Sequence, residues 1–366
     1  MPNKIRILFI IDGLEYGGTQ RQLEYLFAGL NKNYFEIYLC YFTDEEDMLS
    51  ALSHHCIEVC KIAKRKKIDF SLINKIHKLI RDKKISIVQT FLITADIWGR
   101  LGAFLNSDVK VISSKRNQNN LGVVRTFLMK LFDKRSDAIV SNCEEVEQFI
   151  LKTEQLPVRK MEIIHNGIDI EQLENMESVN IKQEYNLDDD AIVVGTVGRL
   201  VEVKNHLRFI SIAECLSKRI NNIYFLIIGS GPEEQKLKAT IATKGLKDRV
   251  IMAGAKENAQ GYIKSFDIYV STSVKEGFSN TIMEAMALHK VIWATPVGAA
   301  QEIISNGLNG YLLEEEQDNY LELYENSNNK KEEIGKLAYE TAKKYEKNIM
   351  VEKYQDLYKR LINRPD

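Results

Sequence analysis

Short β-branched runs alternate with amphipathic helical stretches along nearly the whole sequence. This alternation is typical of parallel sheets that are covered by helices on both faces. It therefore predicts an α/β fold with two doubly wound parallel sheets. The first series of predicted strands covers 5–11, 35–42, 57–62, 85–90, 109–114, 137–142 and 160–167. The second series covers 191–198, 223–229, 249–254, 267–273, 291–295 and 310–313.

The length of the chain and a break in this pattern predict two domains. Its 366 residues exceed what one hydrophobic core usually organises. The sheet pattern stops in a polar stretch, so we predict a first domain over 1–172 and a second over 187–345. The charged tail over 346–366 has an apolar stripe at helical spacing and is expected to pack back on the first domain. Because open parallel sheets bind ligands beyond the carboxyl ends of their strands, we expect the two domains to face one cleft.

Composition excludes several classes of protein. Hydrophobic residues make up 45% and charged residues 28%, with only 5 Pro, which is the composition of a globular protein. The net charge of −1 argues against nucleic acid as a main partner. The 5 Cys are scattered as free thiols of a reducing compartment usually are, so we expect a cytoplasmic protein. No apolar run approaches the length that spans a bilayer.

Two basic stretches in the first predicted domain leave two interpretations open. Residues 61–84 contain ten Lys or Arg against two Asp, and residues 100–135 contain eight against two. The segment 123–135 also combines aromatic and basic residues on an amphipathic pattern. Such a surface could contact anionic lipid at the inner face of the plasma membrane. A solvated helix face explains the same charges.

The first candidate site is the pair Gly17-Gly18, which follows the first predicted strand and opens a helix. Paired glycines let the backbone approach a ligand closely, and the amides of a helix start favour an anion. A phosphate or diphosphate would fit there. A plain tight turn is the alternative.

The second candidate site follows the strand 191–198. Gly198 ends that strand, and Arg199 and Lys204 stand at the start of the next helix. Two cations beside a helix N-terminus can bind a diphosphate, because charge-assisted hydrogen bonds add to the backbone donors. Two solvated surface charges are the alternative.

The third candidate site carries two carboxylates. Glu276 lies in the loop after a strand, and Glu284 lies inside the helix that Gly277 and Ser279 introduce. Such carboxylates can accept hydrogen bonds from the hydroxyls of a sugar and of a ribose. A carboxylate pair also occurs in glycosidases, but a hydrolase would not need the neighbouring cationic site. The sequence therefore favours a nucleotide-sugar site.

In this order and spacing, the motifs resemble those of the retaining glycosyltransferases of family 4. That family has the GT-B architecture, in which two Rossmann-like domains face a cleft. The resemblance covers most of the chain. It extends through Gly17-Gly18, Ser141-Asn142, His165 to Asp169, Gly198-Arg199-Leu200 with Lys204, Gly229 to Pro232, Glu276 to Glu284, and Pro296-Val297-Gly298.

The resemblance implies a role for each matching residue. Arg199 and Lys204 would neutralise the donor diphosphate and stabilise the leaving nucleotide, and Glu276 would orient the transferred sugar, so these three form the predicted catalytic set. Same-face attack, in which the donor phosphate takes the acceptor proton, would need no protein nucleophile. The predicted donor-binding residues are Gly17, Gly18, Gly198, Gly277, Phe278, Ser279, Asn280 and Glu284.

The sequence departs from the family pattern in the first predicted domain. Many relatives have a histidine after the strand that corresponds to 109–114, where this chain has Lys115, Arg116 and Asn117. Arg116 and Asn117 are therefore candidates for contact with the acceptor or the sugar. The acidic run 188–190 precedes a strand and is interpreted as a solvated turn. We expect no metal and no cofactor besides the nucleotide sugar.

The predicted function is transfer of a hexose-type sugar, with retention, from a UDP- or GDP-sugar to a glycan or lipid-linked acceptor in surface polysaccharide synthesis. A non-hydrolysing nucleotide-sugar epimerase of the same fold is one alternative. A non-catalytic sugar-nucleotide-binding protein is the other. We expect residues near 254–256 to select the base, but their sequence does not indicate which base they would bind.

Overall fold

The structure is a computed structural model that describes residues 4–64, 69–118, 123–154, 158–314 and 319–363, with the backbone alone for 123–125 and 154. The chain divides into two compact units. The first ends at Gly167 and includes the tail from Lys347 onwards, and the second is Ile168–Glu346. Three basic residues of the first basic stretch, at 65–67, lie outside the described residues.

The first unit is built on a parallel sheet. Its described residues form seven strands in the order β3-β2-β1-β4-β5-β6-β7. The central strand β1 is apolar at every position but one, which suits a strand that is covered on both faces. The strands are β1 (Ile5–Ile11), β2 (Phe35–Tyr41), β3 (Glu58–Lys61), β4 (Ile87–Phe91), β5 (Lys110–Lys115), β6 (Ala138–Ser141) and β7 (Met161–Ile163).

The helices of the first unit connect these parallel strands and cover the sheet. They are α1 (Gly18–Gly29), α2 (Leu49–Ser53), α3 (Ser71–Asp82), α4 (Ile93–Ala103), α5 (Val123–Arg135) and α6 (Glu144–Glu154). Buried side chains of α3 and α4 form one core cluster with apolar residues of β1 and β4. Side chains of α1 belong to a second cluster. The sheet therefore has an apolar core on each face.

The second unit repeats this plan with a smaller parallel sheet. The strand order among its described residues is β10-β9-β8-β11-β12-β13. Its core contains Trp293, Phe209 and Phe225, all fully buried. The strands are β8 (Ile192–Val197), β9 (Ile223–Ile228), β10 (Val250–Gly254), β11 (Ile268–Ser271), β12 (Val291–Ala294) and β13 (Tyr311–Leu312).

The helices of the second unit begin in the polar stretch that was predicted to separate the domains. Lys264 donates to the backbone oxygens of Glu174 and Met176 at 2.7 and 2.9 Å, so this stretch packs with the second unit. The helices are α7 (Ile170–Asn175), α8 (Ile181–Glu184), α9 (His206–Ser217), α10 (Glu234–Thr243), α11 (Ala259–Ile263), α12 (Asn280–Ala287), α13 (Ala300–Ile303), α14 (Tyr320–Asn329) and α15 (Lys331–Lys343).

The last helix, α16 (Lys347–Asn363), belongs to the first unit. Its apolar residues recur at helical spacing and join the core beside α1. The hydroxyl of Tyr358 donates to Oε1 of the buried Gln89 at 2.5 Å, and Gln89 donates to Ser114 Oγ at 2.8 Å. A polar side chain of the helix is therefore satisfied inside the apolar core. Two Rossmann-like strand orders confirm the predicted fold class.

Candidate active site

The site of the second unit lies where its strand order reverses. β8 and β11 are neighbours in the sheet, although β9 and β10 come between them in sequence. The connections leave such a point towards opposite sides, which opens a crevice at the carboxyl ends of the two strands. Gly198 follows β8 directly, and Glu276 lies in the loop after β11. The fold therefore brings the second and third sequence motifs to one place.

Lys204 and Glu276 contact each other at this crevice. The ammonium of Lys204 donates to Oε1 of Glu276, which also accepts a hydrogen bond from Ser273 Oγ at 3.2 Å. The two side chains are only 24% and 16% exposed. A half-buried ion pair is screened less by solvent than a surface pair. The predicted cation and carboxylate are thus within reach of the same ligand.

The loops that carry these two side chains are bonded to each other. Thr272 Oγ1 donates to the backbone oxygens of Lys204 at 3.1 Å and of Asn205 at 2.9 Å. The amide of Val274 donates to the oxygen of Val203 at 2.9 Å. Asn205 has a φ of 47° and is the residue just before α9, so the chain turns sharply after Lys204. Rigid loops of this kind can hold a site in a fixed geometry.

Arg199 extends from the same crevice and is exposed. Its side chain makes no hydrogen bond or ion pair with the residues that the structure describes. The backbone beside it is closely packed, because a Cβ at Gly229, whose φ is 146°, would overlap the oxygen of Gly198. The amide of Leu200 donates to the oxygen of Ser230 at 2.8 Å. Arg199 is therefore an exposed cation on a rigid base, suited to an anionic ligand.

A second close approach fixes the loop that contains Gly277. Gly298 has a φ of 57°, and a Cβ there would overlap the backbone oxygen of Gly277. The same oxygen accepts from the amide of Ala299 at 2.9 Å. A glycine at position 298 is thus required both by its backbone conformation and by the space. The sequence motif Pro296-Val297-Gly298 supports the loop that carries Glu276.

Phe278, Ser279 and Asn280 connect this loop to α12. Phe278 is buried and packs against Tyr345, with ring centroids 5.5 Å apart. The hydroxyl of Ser279 makes no capping hydrogen bond to α12 and lies 3.2 Å from Thr281 Oγ1. Asn280 is the first residue of the helix. The start of α12 therefore adds backbone donors beside Glu276.

Glu284 lies inside α12 and is 3% exposed. Gln260 donates to its Oε1 at 3.3 Å. A buried carboxylate needs such partners, because an unsolvated charge is costly. The structure therefore places Glu284 deeper than a helix-surface residue. Its predicted contact with a ribose stays a prediction.

Gly17 and Gly18 lie at the start of α1 in the first unit, with Gly17 in an extended conformation before the helix. No role was predicted for Asp12, which lies five positions before Gly17 in the sequence. It follows β1, and its carboxylate accepts from the amides of Thr94 at 3.2 Å and Ala95 at 2.5 Å at the start of α4. Burial raises the pKa of Asp12. Asp12 thus caps a helix at the point where this sheet reverses its order.

Arg116 and Asn117 follow β5 and line a pocket within the first unit. Arg116 is half-buried and contacts Oδ1 of Asn166, whereas Asn117 is exposed. Their role in binding an acceptor or sugar is not tested by this geometry and stays a prediction.

A buried charge network, of which Asp96 and Lys115 also line this pocket, was missed by sequence reasoning. Arg100 is fully buried and donates to Asp96 Oδ2 at 2.6 Å. It also contacts Asp133, which in turn contacts Lys115. The spacing of Asp96 and Arg100, four positions apart on α4, is the one sequence signal that could have indicated an ion pair. Asp133 is distant from Arg100 in sequence, so no local pattern indicated that the two would pair.

The acidic run 188–190 lies in a turn before β8. Asp190 Oδ1 accepts from Asn222 Nδ2 at 2.5 Å, and the amide of Ala191 donates to the oxygen of Asp188 at 3.0 Å. Among the described residues, no three His, Cys, Asp or Glu side chains are grouped as metal ligands. Within the same residues, none of the helices is both long enough and apolar enough to cross a bilayer.

Comparisons with known proteins identify relatives for both units. Residues 178–341 match the family model of glycosyl transferases group 1. Residues 16–172 match the model of glycosyltransferase family 4. An uncharacterized glycosyltransferase of Methanocaldococcus jannaschii is 29% identical, over 70% of this chain and 66% of its own length.

A second relative is the N-acetylgalactosamine-N,N'-diacetylbacillosaminyl-diphospho-undecaprenol 4-alpha-N-acetylgalactosaminyltransferase of Campylobacter jejuni. It is 26% identical over 84% of this chain and 86% of its own length. Among solved structures, Anabaena HepE in complex with UDP has a TM-score of 0.84 at 17% identity, over 97% of this chain and 100% of that one. This structural similarity shows that the two proteins share a fold. The two family models together match 16–172 and 178–341, and the chain belongs to the GT-B glycosyltransferases of family 4, also called group 1.

Proposed function

We propose that this glycosyltransferase moves a hexose-type sugar, with retention, from a UDP- or GDP-sugar to a glycan or lipid-linked acceptor in surface polysaccharide synthesis. The second unit would bind the donor, and the first would bind the acceptor. The observation that carries the proposal is the contact of Lys204 with Glu276 at the crevice between β8 and β11, with Arg199 exposed beside it. A sugar diphosphate offers the anion and the hydroxyls that these groups recognise.

Binding of the donor would exchange the partners of this ion pair. A diphosphate carries more negative charge than one carboxylate, so Lys204 would move from Glu276 to the phosphate oxygens. Arg199 would bind them from the solvent side, as a planar guanidinium does with two parallel hydrogen bonds. Glu276 would then accept hydrogen bonds from the hydroxyls of the sugar. The cations act most strongly when charge develops on the leaving nucleotide.

The reaction would proceed on one face of the sugar. As the bond between C1 and the phosphate oxygen breaks, the acceptor oxygen attacks C1 from the same side and its proton passes to a phosphate oxygen. Glu276 and Glu284 already accept hydrogen bonds from Lys204 and Gln260. Such engaged carboxylates support roles in positioning rather than as a nucleophile. The 4-alpha linkage in the name of the C. jejuni relative supports retention if the donor is α-linked.

Uridine is the base that the comparisons support best, because the Anabaena structure contains UDP. The base would lie beside Gly254, which ends β10 with a φ of 72°. Lys256 follows it and pairs with Glu184 at 2.9 Å, while Tyr262 donates to the same carboxylate at 2.7 Å. This fixed cluster gives the base a rigid surface. Guanosine remains the alternative.

Peripheral attachment to an anionic membrane at the cytoplasmic face is part of the proposal. Helix α5 exposes Phe127, Leu128 and Leu131, which are 59%, 38% and 44% exposed. Lys130 and Lys134 lie on the same helix. Apolar side chains flanked by cations can insert at the level of the lipid headgroups. The C. jejuni relative is named for an acceptor linked to undecaprenol, which is a membrane lipid.

Incubation with a panel of UDP- and GDP-sugars, with and without a diphosphate-linked glycolipid acceptor, tests the proposal. Mass spectrometry would detect the extended acceptor and released nucleotide. Conversion of the donor without acceptor would indicate an epimerase instead. Nucleotide-sugar binding without any conversion would indicate a non-catalytic binding protein. Either outcome would refute sugar transfer.

A further inference from the structure

Buried charges are grouped at the carboxyl end of β5. Arg100 pairs with Asp96 and with Asp133, and Asp133 also contacts Lys115. Asp96 accepts two further hydrogen bonds at Oδ1, from Thr90 at 2.6 Å and from Ser113 at 2.7 Å. Both carboxylates are therefore already engaged.

Arg116 adds a positive charge that this network does not balance. Two carboxylates, Asp96 and Asp133, face two cations, Arg100 and Lys115. Arg116 follows Lys115 directly, and the partner of its guanidinium is the neutral amide oxygen of Asn166. No ion pair joins Arg116 to a carboxylate of the described residues. The cluster thus has one positive charge in excess.

The surroundings of Arg116 make this excess charge significant. Arg116 is half-buried, and burial lowers the pKa of its guanidinium, because the charged form has lost part of its hydration. Arginine nevertheless stays protonated in proteins. An anion that bound here would replace the lost hydration and would be held more strongly than on an open surface.

The pocket beside Arg116 is lined by polar and apolar residues. Its cavity volume is about 60 Å³, and it opens to solvent. Arg116, Lys115 and Asn117 belong to its polar lining, and Leu92 and Phe149 belong to its apolar lining. A cavity of this volume has room for a few water molecules, or for one group of the size of a phosphate. The rest of a ligand would extend through the open mouth.

Two unsatisfied polar atoms lie on the neighbouring strand end. Ser141 Oγ and Asn142 Oδ1 are buried without a hydrogen-bond partner among the described residues. Ser141 is the register partner of Lys115, and Asn142 Nδ2 donates to the backbone oxygen of Arg116 at 3.3 Å. Buried polar atoms are rarely left unpaired. The hydroxyl of Ser141 is thus an unused hydrogen-bond donor on the strand beside the one that Arg116 follows.

We propose that this pocket is an anion subsite, in which Arg116 binds a phosphate group of the acceptor, and apolar residues of the lining contact the part of the acceptor next to that phosphate where it leaves the pocket. The subsite lies within the first unit. It rests on the proposed function in one respect, because its ligand is taken to be the acceptor of sugar transfer. A phosphate offers the bidentate geometry that a guanidinium prefers. The source of the phosphate is either a lipid-linked diphosphate or a free phosphate group.

Isothermal titration of the full chain with two probes, geranyl diphosphate and inorganic pyrophosphate, tests the subsite. Arg116→Gln removes the charge, and Arg81→Gln is the matched control, since Arg81 lies on α3 with a side chain that is 68% exposed. Arg116→Gln is expected to weaken geranyl diphosphate binding about ten- to a hundredfold, as loss of a charged hydrogen bond does. Arg81→Gln is expected to bind both probes like the wild type.

The two probes distinguish the sources of the phosphate. Much tighter binding of geranyl diphosphate than of pyrophosphate, dependent on Arg116, assigns the subsite to a lipid-linked phosphate. Equal binding of both probes, again dependent on Arg116, assigns it to a free phosphate group. Unchanged affinity in Arg116→Gln, an equal loss in Arg81→Gln, or no binding of either probe to the wild type overturns the subsite.

Two further measurements separate this inference from folding and from the proposed function. Thermal unfolding of each variant reports whether it folds, and Arg116→Lys, which keeps the charge but not the planar fork, should retain part of the affinity. UDP binding is measured on the same samples and should be equal in wild type and Arg116→Gln. A chain that bound geranyl diphosphate through Arg116 but bound no nucleotide would retain the subsite and refute the proposed function.

Discussion

The ammonium of Lys204 donates to the carboxylate of Glu276, across 72 positions of sequence, where β8 and β11 end. In this arrangement the carboxylate of Glu276 is paired with the cation that a diphosphate would need, the ammonium of Lys204. Glu276 therefore has two opposing effects on the donor: it would bind the sugar, and it competes with the phosphate for Lys204. Substitution of Glu276 can separate these effects.

Glu276→Gln is expected to lower the rate of sugar transfer about ten- to a hundredfold, because a neutral amide accepts hydrogen bonds from hydroxyls less strongly than a carboxylate. The affinity for UDP should stay the same or rise, since Lys204 is released from its partner. Steady-state kinetics and calorimetry with UDP check the two effects. Glu214→Gln, at a surface carboxylate that pairs with Lys218 and Lys244, is the control. Weaker UDP binding with unchanged transfer would contradict this account of Glu276.

Gly298→Ala is expected to lower the free energy of unfolding and to reduce transfer, because the new Cβ would overlap the oxygen of Gly277. Gly245→Ala is a matched control, since Gly245 has a φ of 68° and, apart from its chain neighbours, nothing lies within 4 Å of where its Cβ would be. The control substitution should lower the free energy of unfolding by about 1 kcal/mol, from the backbone conformation alone. Gly298→Ala should lower the free energy of unfolding by about 2–3 kcal/mol, measured by denaturant unfolding. Equal losses would show that the close approach to Gly277 is not rigid.

The stability of the protein is expected to fall in mild acid because of His206. Burial lowers the pKa of His206 to about 4, and the same side chain in the unfolded chain has a pKa of about 6.5. Between these values the unfolded state binds a proton that the folded state does not, so the free energy of unfolding decreases as the pH falls. The decrease from pH 7 to pH 5 should be about 2 kcal/mol.

His206→Gln should remove this part of the pH dependence, and His54→Gln, at an exposed histidine, should preserve it. Urea unfolding at pH 7 and pH 5 gives the comparison. The account of His206 fails if the two variants show the same difference in stability between these pH values.

Phe127→Ser is expected to weaken binding to vesicles that contain phosphatidylglycerol about tenfold, because a phenyl ring would no longer be buried in the interface. Leu308→Ser is a suitable control, since Leu308 is 60% exposed, close to the 59% of Phe127, and lies in the second unit. Flotation of the vesicles measures the bound fraction. Loss of binding in both variants, or in neither, would argue against α5 as the contact.

The strands could be predicted from the sequence because their apolar runs are local. The predicted strand 5–11 has the bounds of β1, Ile5–Ile11. The predicted strand 160–167 is longer than β7, Met161–Ile163. Its end leaves the sheet because Gly167 bonds with both backbone atoms to the side chain of Gln22, at 2.7 and 2.9 Å. A distant partner of this kind has no local signal.

The site could be predicted only as a set of separate motifs. Their residue types indicated a cation beside a helix start and a carboxylate after a strand, and the structure brings Lys204 and Glu276 together. The helix cap by Asp12 could not be predicted, since it depends on which strand lies beside β1. The burial of Asp133 likewise depends on packing against Arg100. Strand order and packing are tertiary properties, and the hydrophobic periodicity of the sequence does not specify them.

Calorimetric titration of UDP into the wild type, Lys204→Gln and Lys218→Gln tests the central claim most directly. Lys218 lies just beyond α9, and its side chain is 68% exposed, so its substitution controls for the loss of one positive charge. The account predicts that Lys204→Gln weakens UDP binding about ten- to a hundredfold, while Lys218→Gln binds UDP like the wild type. Equal UDP affinity in all three proteins would contradict a donor site at Lys204 and Glu276.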